Sequence, residues 1–512
     1  MKKQPNILFL MADQLRLDHV SYHGQGRMKT PNIDRLAESV GFSACQTVNP
    51  VCTPARSSLL TGKYSHQIGM LSMSGDLSQQ HPTYPRALQA AGYRTVGIGK
   101  FHFLQTWKWG TPRRQGVDLV NLEKVIAGYG FDEVWETAGK QLSRQNFCAY
   151  GQHLADRRLL EQYRDFVDSA GPNTNFIEPL VDDTPNGDVS PLPEDDHVDI
   201  VTCDKILQAI RDRPQDQPLF LFGSFCSPHK PFDPPQRYLD LFPEETDEDL
   251  IAGAQAVCVE ATPLSAANLK RLRKVRRSYK ALVRLVDDQI GRILACLERE
   301  GILDDTVILF TSDHGEMMGD HGRLEKSIWY KQSITVPTVI RHPEYLGARV
   351  CNAPVELTDL TATILDLAGL DPQQALSKGW PAFHDRIPCR SLLPIVRGEA
   401  DTIRDFSFSE CSGDWQALQD KDFKYVRWLR YDRPGAVREE LYHPETDSQE
   451  KKNLLTLPGG DYQEVLDLMR QRREWVIDST PSAQLRWAPL PAEGEHFSYP
   501  ERASATDPRV AE

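Results

Sequence analysis

Four apolar runs in this chain lead into residues that can hold a metal, move a proton or bind an anion. "NILFLMA" (6–12) runs into Asp13 and Gln14, and "RTVGIG" (94–99) into Lys100 and His102. "PLFLFGSF" (218–225) is followed by His229 and Lys230, and "TVILFTS" (306–312) by Asp313 and His314. Singly, each has a plain structural explanation: an aspartate after a strand is a common turn or cap residue. Their joint placement is the signal, because open α/β sheets bind ligands in the crevice beyond the carboxyl ends of their strands. Asp13, Gln14, Asp313 and His314 offer mostly oxygen donors and one nitrogen. That set suits a hard divalent cation such as Ca²⁺, Mg²⁺ or Mn²⁺, whereas a structural zinc site asks for thiolates or more imidazoles.

A fifth stretch, "PVCTPARSSLLTG" (50–62), adds a cysteine at the expected start of a helix. Pro54 suits a first helical turn, where its missing N–H costs nothing, and Gly62 can end the helix. Cys52 then sits among unpaired backbone N–H groups, a location that favours anions. Arg56, one turn on, adds a fixed positive charge. A thiolate there is a potential nucleophile. From the residues alone, the chemistry is metal-assisted hydrolysis of an anionic group.

The elements that must position these residues follow from patterning. The apolar runs, with "TVPTVIR" (335–341), lack the alternation of half-exposed strands and read as a parallel sheet buried on both faces. Helices are expected over 32–39, over 84–92 with Gly92 beyond its end, and from about 265 to 300, closed by Gly301. In the last, Leu282, Leu285, Val286, Ile290 and Ile293 follow helical spacing. Alternation of strands and helices implies a doubly wound, mostly parallel α/β sheet sandwiched by helices. The expected organisation is a catalytic domain over 1–390, with a loop-rich insertion at about 135–217. A smaller C-terminal α+β subdomain follows over 391–480, with antiparallel strands at 422–431 and 440–444 and a helix at 462–476. Residues 481–512 read as an extended tail, long enough to wrap a neighbouring subunit in a homo-oligomer.

Among 512 residues, 40% are hydrophobic and 26% charged, an ordinary globular balance that supports a large core. A formal net charge of −13 argues against nucleic acid as a partner, and any anion site must be locally basic. "KRLRKVRRSYK" (270–280) carries seven cations and reads as a solvated helix face. No run reaches membrane-spanning length. The N-terminal apolar run is too short for a signal peptide and ends at Asp13, so the expected location is cytoplasmic. Ten cysteines without a CxxC pair read as reduced and mostly structural.

"CTPAR" followed by "SSLLTG" resembles the C-x-P-x-R signature of the formylglycine-dependent (type I) sulfatases of the alkaline phosphatase superfamily. Other stretches resemble segments of the same family over nearly the whole chain. These are "PNILFLMADQ", "KTPNIDRLAESVGFSACQTVNP", "AGYRTVGIGKFHF", "SPHKPF", "LDDTVILFTSDHGEMMGDHGRLEKSIWY", "PVELTDLTATILDLAGL" and "ELYHPETDSQEKKNL". The resemblance implies an alkaline-phosphatase-like fold and a sulfuric ester hydrolase. It implies that a formylglycine-generating enzyme oxidises Cys52 to an aldehyde, whose hydrate attacks sulfur in line and expels the alcohol. Loss of a proton from the second hydroxyl then re-forms the aldehyde and releases sulfate.

Carried over by position, Asp13, Gln14, Asp313, His314 and the modified Cys52 would hold one divalent metal, Ca²⁺ first with Mg²⁺ and Mn²⁺ as alternatives. Arg56 would orient the hydrate, and Lys100 and His102 would grip hydrate and sulfate. His229 would protonate the leaving oxygen, and Lys326 would bind a sulfate oxygen. Many arylsulfatases carry Asp-Asp and Asp-Asn where this chain has Asp13-Gln14 and Asp313-His314. Those pairs also occur in phosphonate monoester hydrolases, which typically lack the Lys-x-His seen as Lys100-Phe101-His102. A phosphonate or phosphate ester hydrolase and a non-catalytic binder of sulfated ligands therefore stand as alternatives. The expected substrate is small: a sulfated sugar first, then choline sulfate or an aryl sulfate. Trp107 and Trp109 are candidates to stack on its ring.

Overall fold

Strand β1 (Asn6–Asp13) shows how the sheet is built. Ile7, Phe9 and Met11 join the apolar layer on one face, and Leu8, Leu10 and Ala12 join the layer on the other. A strand with apolar side chains on both sides can lie only inside a sandwich, since successive residues point to opposite faces. The computed structural model describes residues 4–105, 116–169, 188–243, 266–377, 387–411, 413–429 and 438–478. The expected tail and the two tryptophans at 107 and 109 lie outside them.

The other strands of the main sheet are β2 (Val40–Phe42), β4 (Arg94–Gly99), β5 (Glu133–Glu136), β6 (Leu219–Pro228), β7 (Thr306–Ser312), β8 (Thr338–Arg341) and β9 (Val350–Cys351). Their order is β5-β4-β6-β1-β7-β8-β2-β9, and β3 (Cys45–Gln46) pairs separately with β10 (Val355–Glu356). From β5 to β7 all neighbours are parallel, so five carboxyl ends share one edge. The run at 335–341, expected as parallel, is a correction: β8 lies antiparallel to β7.

Helices α1 (Pro31–Leu36), α2 (Cys52–Thr61), α3 (Tyr84–Ala90), α4 (Val198–Arg211), α5 (Ala266–Arg299) and α6 (Asp359–Leu367) cover the sheet. Helices α2, α3 and α6 pack on one face, and α1, α4 and α5 on the other. Leu282, Leu285, Val286, Ile290 and Ile293 of α5 are fully buried, each contributing about 1.5–3 kcal/mol of transfer free energy. Within the stretch 135–217, α4 is one of the helices that cover the sheet. One further expectation is corrected here. The basic run on α5 is not simply solvated: Arg276 is buried and donates to Met318 O at 2.8 Å and Asp320 Oδ1 at 3.1 Å.

Strands β11 (Ser407–Cys411), β12 (Trp415–Gln419), β13 (Lys424–Trp428) and β14 (Arg438–Tyr442) form an antiparallel meander. Helix α7 (Gln463–Asp478) packs on it through Leu466, Met469 and Val476. Leu392, Leu393, Ile395 and Val396 pack in the main core. Trp415, Ala417, Val426 and Tyr442 pack against Val51, Met317 and Trp329, which brackets the loops around Cys52 and His314. Among the described residues no helix is long and apolar enough to cross a membrane.

Candidate active site and metal centre

Helix α2 begins at Cys52, after Val51 in extended backbone, and ends at Gly62 in the left-handed region (φ 66°). Every residue of the helix is buried, so its N-terminus is held against the sheet edge rather than open to water. Cys52 Sγ lies 3.1 Å from His314 Nε2, 3.8 Å from Lys100 Nζ and 4.0 Å from Asp13 Oδ1. Ligand atoms of Asp13, Cys52, Asp313 and His314 all lie within 4.8 Å of one another. His102 and His229 are further groups whose electrostatics couple to Cys52.

The backbone delivers these groups through uncommon conformations. Pairing of β1 with β6 shifts register between Met11 and Asp13. Gln14 then takes φ 70° and His102 φ 58°, left-handed values that a non-glycine residue adopts at a cost and mostly at functional positions. Before His102, Gly99 has φ 102°, and a Cβ there would stand 1.9 Å from Ser224 O. Only glycine lets β4 approach β6 closely enough for Lys100 N to donate to Ser224 O at 3.0 Å.

Electrostatics sort the groups into anions and cations held face to face. Burial would push the Cys52 thiol up, but Lys100, Lys326 and His314 hold it well below its ordinary value. Burial would likewise raise Asp13, yet Lys100 and His229 bring it below the usual carboxylate range. Lys100 Nζ donates to Asp13 Oδ2 at 2.5 Å. Arg56 donates from Nε to Asp313 Oδ2 at 2.8 Å, and from Nη1 to Lys100 O at 2.6 Å and Ser224 Oγ at 2.9 Å. Among the described residues its Nη2 is buried without a hydrogen-bond partner. Burial, together with Lys326, lowers His229, and burial also lowers His102.

The donor set fits a divalent cation. His314 places Nδ1 3.0 Å from Gly315 O, which sets Nδ1–H as donor and turns the Nε2 lone pair to the site. Burial lowers the imidazole, but Asp313 at 3.6 Å raises it overall, so a cation arriving there displaces a proton. Gln14 Nε2 donates to Glu316 Oε2 and Lys326 Nζ donates to Gln14 Oε1. A carboxylate on one side and an ammonium on the other leave one sensible amide orientation, with oxygen facing Lys326. Gln14 N also donates to Asp313 Oδ1 at 3.0 Å.

All ten positions named from sequence therefore meet at one place: Asp13, Gln14, Cys52, Arg56, Lys100, His102, His229, Asp313, His314 and Lys326. Three supporting residues escaped the sequence reading. Ser224 is a hydroxyl inside an otherwise apolar strand, which was the available signal. Glu316 follows two residues after His314, and Glu325 precedes Lys326 and pairs with Lys230. Nothing local tells these two from solvated acids.

Known proteins resemble this chain over most of its length. An arylsulfatase of Clostridium perfringens (strain 13 / Type A) is 28% identical over 495 residues, spanning 91% of this chain and 93% of its own. A choline-sulfatase of Rhizobium meliloti (strain 1021) is 26% identical over 503 residues, spanning 94% and 88%. The crystal structure of a phosphonate monoester hydrolase of Agrobacterium radiobacter matches with a TM-score of 0.68 at 24% identity, covering 93% of this chain and 95% of that one. At that identity the likeness shows the fold alone, an α/β sandwich of the alkaline phosphatase type. The family model described as Sulfatase matches residues 5–370, most of the sheet and every site residue above, and the chain is thus an enzyme of the sulfatase family.

Proposed function

We propose that this enzyme hydrolyses the sulfate monoester of a small alcohol, a sugar first, using formylglycine made from Cys52 and one divalent cation. The observation that carries the reading is the surrounding of Cys52 Sγ. Around it gather two carboxylates, three imidazoles, two ammonium groups and a guanidinium. Asp13, Gln14, Asp313 and His314 would hold the cation, Ca²⁺ or the smaller Mg²⁺ and Mn²⁺. When bound, it supplies Lewis acidity that lowers the pKa of a nucleophilic hydroxyl and draws charge from a sulfate oxygen. The formylglycine hydrate supplies that hydroxyl and a second one.

The chain's own residues do the rest. Arg56, locked by three hydrogen bonds, holds its remaining donor toward the anion without reorganising during reaction. Lys100 and Lys326 bring two positive charges into a dry site, where they are worth more than in water. His229 would hand a proton to the departing alcohol, and His102 would take one from the second hydroxyl. Lys100 and His102 at the nucleophile favour sulfate over phosphonate, the rival ester that the Gln14 and His314 positions would tolerate.

The test is turnover of matched aryl sulfate, phosphonate and phosphate esters, by protein co-produced with a formylglycine-generating enzyme, in Ca²⁺, Mg²⁺ and Mn²⁺. Peptide mass analysis around residue 52 accompanies it. Full activity with unmodified cysteine, or phosphonate turnover above sulfate, overturns the reading.

A further inference from the structure

Behind the loop that carries His229 lies a sealed ionic cluster outside the site described above. Lys140 is buried, with no exposed side-chain surface, and lies beyond the carboxyl end of the edge strand β5. Its Nζ donates to Ser227 Oγ at 3.2 Å, Pro231 O at 2.9 Å and Asp233 Oδ1 at 2.9 Å. These three acceptors match the three donors of an ammonium group. They lie on both sides of His229 in sequence. A second clamp comes from α4: Asp199 Oδ1 accepts from Cys226 N at 2.7 Å and Ser227 N at 3.2 Å. His197 lies between the carboxylates, 3.6 Å from Asp199 and 4.0 Å from Asp233, and burial keeps its imidazole below the ordinary value.

A fully buried lysine is rare and costly unless paired. This one is spent on the end of β6 and the loop that follows it. Inside the loop, His229 Nδ1 lies 2.7 Å from Lys230 O, which makes Nδ1–H the donor and turns Nε2 to the reaction centre. The carbonyl of Lys230 is followed at once by that of Pro231, which Lys140 holds. The preceding residue, Gly139, has φ 87°, and a Cβ there would stand 3.2 Å from Lys100 Cε. The loop of Lys140 therefore lies close to Lys100 and holds the segment that carries His229.

We propose that Lys140 is a positioning residue that aims the His229 imidazole at the leaving-group oxygen, with Asp199 and Asp233 as its fixed counterparts. It touches no substrate. This rests on His229 as the proton donor, and the experiment separates the two. The dependence of kcat/KM on leaving-group pKa is measured over a series of sulfate esters, from 4-nitrophenyl sulfate to alkyl sulfates, for the matured wild-type enzyme and for K140M, S227A and H229A. An ester with a good leaving group needs no proton, so loss of aim is felt only by poor ones. K140M is expected to lose about 10²-fold on alkyl esters and less than about 3-fold on 4-nitrophenyl sulfate, with KM nearly unchanged. S227A, which removes one of three contacts, is expected to move the same way by a smaller factor.

If H229A loses activity equally across the series, the proton-donor reading falls and the role of Lys140 with it. If H229A steepens the dependence and K140M loses activity uniformly or not at all, Lys140 is merely structural. Should K140M fail to fold, S227A decides: a steeper dependence supports the proposal and an unchanged one overturns it.

Discussion

Arg56 Nε donates to Asp313 Oδ2 at 2.8 Å with both side chains sealed from solvent. One bond thus ties the helix that presents Cys52 to the strand end that presents Asp313 and His314. Its energetic meaning is asymmetric: removing one partner strands a charge in a dry place. R56A should lower unfolding free energy by about 3–5 kcal/mol in urea titrations. R56K keeps the charge but cannot make the three divergent contacts, so it should fold and still lose most turnover.

The proposed mechanism requires Cys52 to be converted before it reacts. C52A should lower kcat by about 10³-fold or more, as nucleophile removals do, while its Tm stays near that of the unmatured protein. Steady-state kinetics beside a thermal melt reads both.

Binding of a cation to the native site alone must stabilise it. Chelation should abolish turnover and lower Tm, and adding back Ca²⁺, Mg²⁺ or Mn²⁺ should recover about 2.7 kcal/mol at a hundredfold excess over Kd. Because Asp313 holds His314 above its ordinary value, affinity should weaken as pH falls and the proton competes. Calorimetric titration at several pH values checks the sign.

Glu316 accepts from Gln14, from Met318 N at 3.1 Å and from Glu325 N, so its carboxylate aims the Gln14 amide. E316Q should keep the fold but weaken cation affinity by about 10–100-fold, the usual cost of losing an outer partner of a ligand. Isothermal titration with Mn²⁺ measures it without reference to turnover.

Glu136, buried at the end of β5 with Oε2 unpartnered, is pushed up to about 8 from 4.5 by burial. Between those pH values the native state keeps a proton that the unfolded chain has released. Stability should therefore fall as pH rises through that window, by roughly 1.4 kcal/mol per pH unit at most. E136Q carries no such proton, and its Tm should vary less over the same range.

The local pattern was enough for the frame and for the reacting groups. The stretches 7–12 and 307–310 are apolar at every position, which leaves only a doubly covered strand. A polar residue just past such a run must sit at the sheet edge, so Asp13, Lys100, His229 and Asp313 were legible without coordinates. The Cys52 helix was legible too, because Pro54 and Gly62 act on the backbone within a turn of themselves. Only the tertiary structure decided what depends on packing between distant segments. The direction of β8 follows from where the chain re-enters the sheet, and apolar content does not encode direction. Arg276 turned inward because Asp320, on a far loop, was there to receive it. Lys140 and Glu316 carry no local mark of their work: a lysine in a loop is ordinarily solvated, and only closure of the fold takes its water away and leaves three acceptors in its place.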